Sequence, residues 1–327
     1  MKYFLMGAFA TGFLLFGIAL LYGAFGTFDI SKIAAHLAPA LPSQGRPADS
    51  QWVLISGGII FMLIGLSFKA SAVPFHFWAP DVYQGSPTQV TAFMASIVKT
   101  AAFAAFLRLF ICFSGLEGVW GNLIWIMAGI TILLGNITAV YQKSVKRMLA
   151  YSSISHAGYL MLAILAMNLL SKGAVLYYAA AYSVATIASF TILSIVEGNK
   201  VNEEHPVSFS DFTGLAKRNP LLAFAMTVSM LSLAGIPPLA GFFGKYYLFS
   251  ATLQSGYVWI VLIAVLGSLI GVYYYFRVII AMYSQVATPA SEGNELAVSQ
   301  AQKIVLIITV LLSLALGIFP ELVIRLL

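Results

Sequence analysis

Residues 52–74 read WVLISGGIIFMLIGLSFKASAVP, an apolar run that ends in a lysine and a proline. The run from Trp52 to Phe68 carries no charged side chain, which is the composition of a helix that crosses a lipid bilayer. Lys69 follows directly, and Pro74 comes shortly after it. Proline removes a backbone donor and clashes with the preceding turn, so the helix is expected to break there. The stretch therefore predicts a membrane helix that is interrupted beside a charged group.

Apolar runs of the same length recur from one end of the chain to the other. The 327 residues are 61% hydrophobic and only 9% charged, whereas soluble domains average about 25% charged residues. A mean hydropathy of +0.94 leaves too little polar surface for a soluble fold. We predict an all-α polytopic membrane protein with about nine transmembrane helices, at residues 3–24, 52–73, 88–113, 119–140, 147–169, 173–195, 220–253, 257–283 and 303–327.

A second interruption is predicted in the seventh span, where apolar residues flank Ala234-Gly-Ile-Pro-Pro-Leu-Ala-Gly241. Broken backbone at membrane depth is tolerated only where protein or a water-filled cavity covers it. Paired interrupted helices in two repeats are the pattern that points to the ion site of a transporter. Two of the nine helices are therefore predicted to be discontinuous.

Several classes of site are excluded by the residue content. Cys112 is the single cysteine and lies in an apolar run, so no internal disulfide can form. No Cys/His cluster has metal-ligand or iron–sulfur spacing, and no P-loop or dinucleotide fingerprint is present. The 17 Lys and Arg are spread along the chain rather than clustered, which is not a nucleic-acid-binding pattern.

The positive charges are distributed unevenly between the two predicted faces. If each broken helix crosses once, the positive-inside rule places the N-terminus in the cytoplasm and the C-terminus on the periplasmic side. The N-terminal face then carries Lys2, Lys143, Lys146, Arg147, Lys200, Lys217, Arg218 and Lys303, against Lys32, Arg46, Lys172 and Arg325 on the other face.

Lys69, Lys99 and Lys245 lie inside predicted spans, too deep to reach the interface easily. A charge at the centre of a membrane helix costs about 2.5–3.5 kcal/mol on insertion scales. Burial weakens the hold of a lysine on its proton and a nearby carboxylate strengthens it, so a movable partner charge could load and unload a proton relay. A structural ion pair between helices is the alternative. The position of Lys69 and Lys245 beside the two breaks favours the relay.

Other polar residues in the spans have two interpretations each. His156, within a polar stripe at 151–159, could link the lysines because histidine titrates near neutral pH, or could be a core histidine bonded to a serine. Thr186 and Ser189 could hold water on such a path or simply pack between helices. Residues 273–275 are three tyrosines, typical of an aromatic interface belt. Glu197 is predicted to be a solvated loop charge.

Three segments resemble the antiporter-like membrane subunits of respiratory NADH–quinone oxidoreductase, complex I. Residues 68–87 (FKASAVPFHFWAPDVYQGSP) resemble their broken seventh helix, residues 141–159 (YQKSVKRMLAYSSISHAGY) their tenth, and residues 233–247 (LAGIPPLAGFFGKYY) their broken twelfth. The resemblance runs in order over nearly the whole chain. It is greatest to the N-type subunits, because M-type subunits usually have glutamate at the position of Lys245 and L-type subunits add a long lateral helix.

The resemblance implies a function and a role for each matched residue. Lys69 resembles the lysine of the first half-channel, Lys99 the lysine that connects the halves, and Lys245 the lysine of the second half-channel. His156 stands at a position of the central hydrophilic axis. These residues would couple electron transfer from NADH to quinone to proton translocation across a bacterial inner membrane. NADH, FMN, iron–sulfur clusters and quinone would bind to other subunits, with which this chain would assemble.

The chain is expected to depart from the family in one respect: it would begin at the sixth helix and lack the first five. Residues 1–327 would form one proton-conducting domain, built from one complete and one partial inverted five-helix repeat. Its parts would be the remainder of the first half-channel (1–113), the second half-channel (114–283) and a C-terminal helix (284–327). The fifth-helix glutamate that pairs with Lys69 would be missing. We expect a fragment rather than a short protein, because Lys69 would otherwise be an uncompensated buried charge.

Two alternative functions remain at the level of the sequence. Subunits of multisubunit cation/proton antiporters and of membrane-bound hydrogenases share the same helices and lysines. A passive membrane subunit that only holds a complex together would need none of the lysines for proton movement.

Overall fold

The computed structural model describes residues 1–37, 49–199, 206–284 and 296–321, which form helices and no β-strand. A π-helical turn, Met94–Val98, joins two of the helices into one rod. The helices are α1 (Lys2–Phe25), α2 (Ile30–Leu37), α3 (Asp49–Ala70), α4 (Trp78–Gly85), α5 (Thr88–Phe93), α6 (Lys99–Cys112), α7 (Glu117–Val140), α8 (Val145–Ala166), α9 (Leu169–Gly198), α10 (Leu215–Arg218), α11 (Pro220–Ala234), α12 (Ala240–Gln254), α13 (Val258–Tyr283) and α14 (Gln300–Ile318).

The predicted spans are confirmed, with the seventh in two pieces. Within the described residues, eight helices are long and apolar enough to cross a membrane: α1, α3, α5 with α6, α7, α8, α9, α13 and α14. The seventh predicted span is divided between α11 and α12, each too short to cross alone. The last predicted span reached residue 327, whereas α14 ends at Ile318 and residues 322–327 lie outside the described part.

The first break separates α3 from α4, as the proline predicts. Ser71 takes a left-handed backbone conformation (φ 61°) directly after α3 ends. Two side chains pair with backbone groups of the interrupted region: the Trp78 indole donates to the carbonyl of Phe68 (3.1 Å), and the Thr131 hydroxyl accepts from the amide of Val73 (2.9 Å). The opened backbone is thus partnered by protein, which is the condition for a break at membrane depth.

The second break, between α11 and α12, is enclosed more tightly. Gly235 ends α11 at φ 83°, a left-handed conformation that favours glycine. The Ser232 hydroxyl accepts from the amide of Gly241 (3.2 Å). Helix α14 covers the break from outside, since a Cβ on Gly317 would lie 1.9 Å from the carbonyl oxygen of Pro238. Only glycine at this position of α14 permits so close an approach.

The connections between successive helices lie alternately at the two ends of the bundle, as expected for helices that cross the membrane in alternating directions. At the end that we call the N-terminal face, Asp81 pairs with both Lys2 and Arg147. On the same face the backbones of Ser144 and Ser208 pair in an isolated antiparallel β-bridge. Contacts also join Asn199 to Ala297 (3.1 Å) and Gly214 to Ala281 (3.4 Å). Lys2 and Arg147, two of the basic residues assigned to this face, thus lie at the same end of the bundle. Lys200, also assigned to this face, lies outside the described residues.

At the opposite face, three contacts tie the other set of connections together. The Gln51 amide donates to the carbonyl of Ala24 (3.1 Å), and the Asn168 amide donates to that of Ala251 (2.6 Å). Burial and the adjacent Glu117 carboxylate raise the pKa of the Tyr257 phenol to about 12, so the phenol stays protonated and donates to that carboxylate. Arg46 and Arg325, also assigned to this face, lie outside the described residues.

Helices α1 and α3 pack through small residues. A Cβ on Gly17 would lie 2.8 Å from the carbonyl oxygen of Gly58 and 2.8 Å from the amide nitrogen of Met62. A Cβ on Gly65 would lie 2.7 Å from Leu14. Association of membrane helices depends on such close backbone approach, because lipid supplies no hydrophobic drive.

We expect Gly17→Ala to lower the midpoint of thermal unfolding of the purified protein, because overpacking a close contact typically costs about 1–3 kcal/mol. Gly12 is the matched control on the same helix, since its Cβ would meet nothing within 4 Å. Gly12→Ala should be neutral or stabilising by roughly 0.5–1 kcal/mol through helix propensity. A midpoint for Gly17→Ala equal to that for Gly12→Ala would contradict the contact.

Candidate functional site

Lys99 lies in the interior of the bundle, with 2% of its surface exposed. Its ammonium donates to the backbone carbonyl (2.5 Å) and to the hydroxyl of Ser153 on α8. The Tyr182 hydroxyl of α9 donates to the same serine hydroxyl (2.9 Å). Lys99 is therefore solvated by neutral oxygens rather than by a carboxylate, which leaves its charge uncompensated by these contacts.

A helix irregularity precedes Lys99. The π turn ends at Val98, and α6 begins at Lys99 itself. Such turns usually occur as bulges within α-helices and are frequent at functional sites. Lys99, like Lys69 and Lys245, thus stands next to a departure from regular helix, which the sequence did not predict at this position.

Lys245 is the second buried lysine, with 6% of its surface exposed. Its ammonium donates to the carbonyl of Ala234 (2.8 Å), at the end of α11, and to the Ser268 hydroxyl of α13 (2.7 Å). It also lies 5.1 Å from the ring centroid of Tyr159. A Cβ on Gly235 would come within 2.8 Å of the lysine stem, so glycine at the break makes room for this side chain.

His156 occupies the centre of the buried polar region, with 3% of its surface exposed. Its Nδ1 lies 2.6 Å from the Tyr178 hydroxyl, and its Nε2 lies 3.0 Å from the Tyr275 hydroxyl. The Tyr275 hydroxyl also bonds the Ser152 hydroxyl (2.5 Å). Of the two interpretations of this histidine, the one with a neighbouring serine as direct partner is wrong: two tyrosines hold both ring nitrogens.

Two further tyrosines fill the space between His156 and the lysines. The ring of Tyr182, which shares a serine with Lys99, lies 4.7 Å from the imidazole centroid of His156. The ring of Tyr159, which Lys245 faces, lies 5.8 Å from the same imidazole. The structure therefore brings together three of the four predicted residues, in the order Lys99, His156, Lys245.

The prediction of an aromatic interface belt at residues 273–275 is correct only for Tyr273, which is 58% exposed. Tyr274 and Tyr275 are buried, at 0% and 1% exposure. Tyr274 donates to the Asn136 carbonyl oxygen (2.9 Å), and the Asn136 amide donates to the Tyr159 hydroxyl (3.2 Å). A signal for their burial was available, because glycines precede them at helical spacing and mark the packed face of α13.

Lys69 is not part of the buried network. Its side chain is exposed, and among the described residues it has no hydrogen-bond or ion-pair partner. Lys69 is exposed because no described helix covers this side of the first break. His76, close by in sequence, is 5% exposed, and its Nδ1 has no hydrogen-bond partner within the described residues.

Glu197, predicted from the sequence to be a solvated loop charge, and Lys146, assigned to the N-terminal face, contact each other at 3.5 Å. Lys146 is 4% exposed and also donates to the carbonyl of Ser86 (2.9 Å). Glu197 accepts in addition from the Thr88 hydroxyl. Helix α8 begins at Val145 rather than at the predicted 147, so Lys146 belongs to its buried first turn. Glu197 lies within α9 rather than in a loop, but its side chain is 42% exposed, so the prediction is wrong only about the loop.

Thr186 and Ser189, the two hydroxyls proposed on α9, are both buried. Ser189 donates to the carbonyl of Ala185 (2.7 Å), and Thr186 lies beside the Tyr182 hydroxyl. Within the described residues, no group of three or more His, Cys, Asp or Glu could hold a metal ion. The groups that this region brings together are ammonium, imidazole, phenol and hydroxyl groups, each of which can donate a hydrogen bond.

Comparison with known proteins gives the family. The profile of the family described as "NADH:quinone oxidoreductase/Mrp antiporter, TM" matches residues 1–271. NADH-quinone oxidoreductase subunit N of Trichlorobacter lovleyi is 44% identical over 99% of this chain and 64% of its own length. Subunit N of Flavobacterium johnsoniae is 45% identical over 100% of this chain and 68% of its own length.

A solved structure shows the same fold. A chain of respiratory complex I from Thermus thermophilus with bound aureothin superposes with a TM-score of 0.81 and 37% identity. The match covers 99% of this chain and 67% of that one. The chain thus spans about two thirds of the length of the relatives that it matches. It belongs to the NADH:quinone oxidoreductase/Mrp antiporter membrane family and, within that family, to the N subunits of NADH-quinone oxidoreductases.

Proposed function

We propose that this chain is a proton-translocating membrane subunit of NADH–quinone oxidoreductase, and that Lys99, His156 and Lys245 carry the proton. The observation that supports the proposal is that Lys99, His156 and Lys245 lie in one buried polar region, where each of them bonds a neutral hydroxyl. Ionisable residues at membrane depth are expensive and are retained where they serve ion or proton pathways.

The chemistry of the row suits proton movement better than a fixed ion pair. The serine and tyrosine hydroxyls around Lys99 and His156 can each donate one proton and accept another. Neutral imidazole has one donor and one acceptor nitrogen, and both face tyrosine hydroxyls. Each of the three groups therefore has a hydroxyl partner that can take part in proton exchange.

Lys69 is assigned to the first half-channel on the strength of the resemblance and of its position at the first break. Because it has no described partner, its function would require a carboxylate from outside the described residues. Accordingly, residues 1–113 would contribute part of one half-channel, residues 114–283 the second, and residues 284–327 a C-terminal helix that covers the second break.

The surroundings of the chain follow from the same proposal. It would lie in a bacterial inner membrane with its N-terminal face in the cytoplasm, which the excess of basic residues on that face favours. Other membrane subunits of complex I would be its partners. NADH, FMN, iron–sulfur clusters and quinone would be bound by those other subunits, and electrons would not pass through this chain.

The family also contains subunits of cation/proton antiporters, so antiporter function is the main alternative. The identity of 44–45% to N subunits favours complex I. A passive structural role is disfavoured because two uncompensated buried lysines would cost stability and contribute nothing to assembly that apolar residues could not supply.

We expect Lys99→Ala to reduce proton pumping by at least tenfold, because it removes the protonatable group that joins α6 to the serine and tyrosine of α8 and α9. Pumping would be measured in inverted membrane vesicles as the acidification that follows NADH addition. Lys172→Ala, at an exposed lysine of the opposite face, is the control and should pump normally. Full pumping by assembled Lys99→Ala complex would refute the role of this lysine.

Tyr275→Phe should slow pumping about tenfold while leaving the complex assembled. The substitution keeps the ring and removes only the hydroxyl that bonds His156 and Ser152. Tyr273→Phe is the matched control, because it removes a hydroxyl from the exposed tyrosine two positions away on the same helix. Equal pumping rates for the two variants, measured in the same vesicle assay, would argue against a path through His156.

A further inference from the structure

A second cluster of polar and charged groups lies at the N-terminal face, between α4, α5, α8 and α9. Its members are Lys146, Glu197, Thr88 and Ser86, whose mutual contacts are described above. The two charged residues differ in access to solvent: the side chain of Lys146 is 6% exposed and that of Glu197 is 42% exposed. One carboxylate therefore reaches the aqueous face while its lysine partner lies behind it.

Further hydroxyl groups lie inward of this ion pair, beginning with that of Ser86, whose backbone carbonyl is the group that Lys146 contacts. The Ser86 hydroxyl bonds that of Thr91 (2.9 Å), which is fully buried and also bonds the carbonyl of Tyr83 (3.0 Å). The phenol of Tyr83 lies near Ser153, the serine that holds Lys99. Polar groups thus line the protein interior from the aqueous face to Lys99.

The geometry of α8 gives the scale of the connection. Lys146 and Ser153 are separated by seven positions, or two helical turns, so they lie on the same side of α8 about 10 Å apart. Lys146 stands at one end of this stretch of α8, and Lys99 contacts Ser153 at the other end. The facing residues of α5, Thr88 and Gln89, carry no charge, so Lys146 is the charged group that faces Glu197 in the described structure.

We propose that Glu197 and Lys146 form the proton-uptake site that supplies Lys99 from the N-terminal face. The inference rests on the proposed function and adds two residues to it. A proton from water binds the Glu197 carboxylate. The neutral carboxyl group then attracts the Lys146 ammonium less strongly. The Lys146 ammonium passes one proton inward, to the Ser86 and Thr91 hydroxyls on the side of Lys99, and receives the proton of Glu197. One proton enters and one leaves, and the ion pair is restored.

The decisive variant is Lys146→Arg in the complete complex. Arginine keeps the positive charge and the ion pair, but it does not release a proton in proteins. An uptake site therefore predicts normal assembly and thermal stability with proton pumping reduced at least tenfold in membrane vesicles. Lys143→Arg, at an exposed lysine three positions earlier, should pump as the unmodified complex does.

Glu197 is tested by a pair of substitutions in the same assay. Glu197→Gln should reduce pumping at least tenfold, whereas Glu197→Asp should restore more than half of it because the carboxylate is retained. Normal pumping by Lys146→Arg together with slow pumping by Lys146→Gln would overturn the proposal and leave Lys146 a structural partner of Glu197. Normal pumping by Glu197→Gln would also overturn it.

A parallel Lys99→Ala sample separates this inference from the relay itself. If Lys99→Ala abolishes pumping while Lys146→Arg and Glu197→Gln pump normally, the uptake site is refuted and the relay stands. If Lys99→Ala pumps normally, the relay is refuted and the uptake site is refuted with it.

Discussion

The fold depends on one constraint: at membrane depth every backbone polar group needs a partner. Two spans are interrupted, and at each interruption side chains form hydrogen bonds with the backbone groups that the break leaves open. At the first break Trp78 and Thr131 provide the partners; at the second, Ser232 and Lys245 do. Lys245 is the exceptional case, because the same ammonium that completes the backbone of α11 is also the group proposed to exchange protons.

This double role links proton occupancy to the geometry of the second break. A charged lysine has three donors and a neutral one has two. The Ala234 carbonyl and the Ser268 hydroxyl use two donors, so the neutral form can keep both contacts while the third position is lost. Gly235 and Gly317 hold the surrounding backbone in close contact, which limits how far the break can rearrange. A proton can therefore depart without collapse of the helix end.

The sequence predicted the spans, both breaks and the buried Lys99 and Lys245, because apolar length and proline act locally. We did not distinguish from the sequence which of two similar neighbours faces the interior, although the glycine spacing of α13 marks its packed face. Tyr273 and Tyr274 are adjacent on α13, yet one is 58% exposed and the other fully buried, since each position turns by about 100° around the axis. Lys143 and Lys146 differ likewise, because helices distant in sequence cover only Lys146. Lys69 and Lys245 both lie beside a proline-associated helix break. Lys245 is buried, whereas Lys69 is exposed because no described helix covers it.

The two environments of buried lysine explain how a proton could move in one direction. Lys146 has a carboxylate partner, so its charge is balanced and its proton exchanges without a net change at the rim. Lys99 and Lys245 are hydrogen-bonded to carbonyls and hydroxyls, which solvate an ammonium without cancelling its charge. Like charges interact strongly in a low-dielectric interior. In the proposed relay, a proton that arrives at Lys99 would therefore raise the cost of a charge at Lys245, and departure of the proton from Lys245 would relieve that cost.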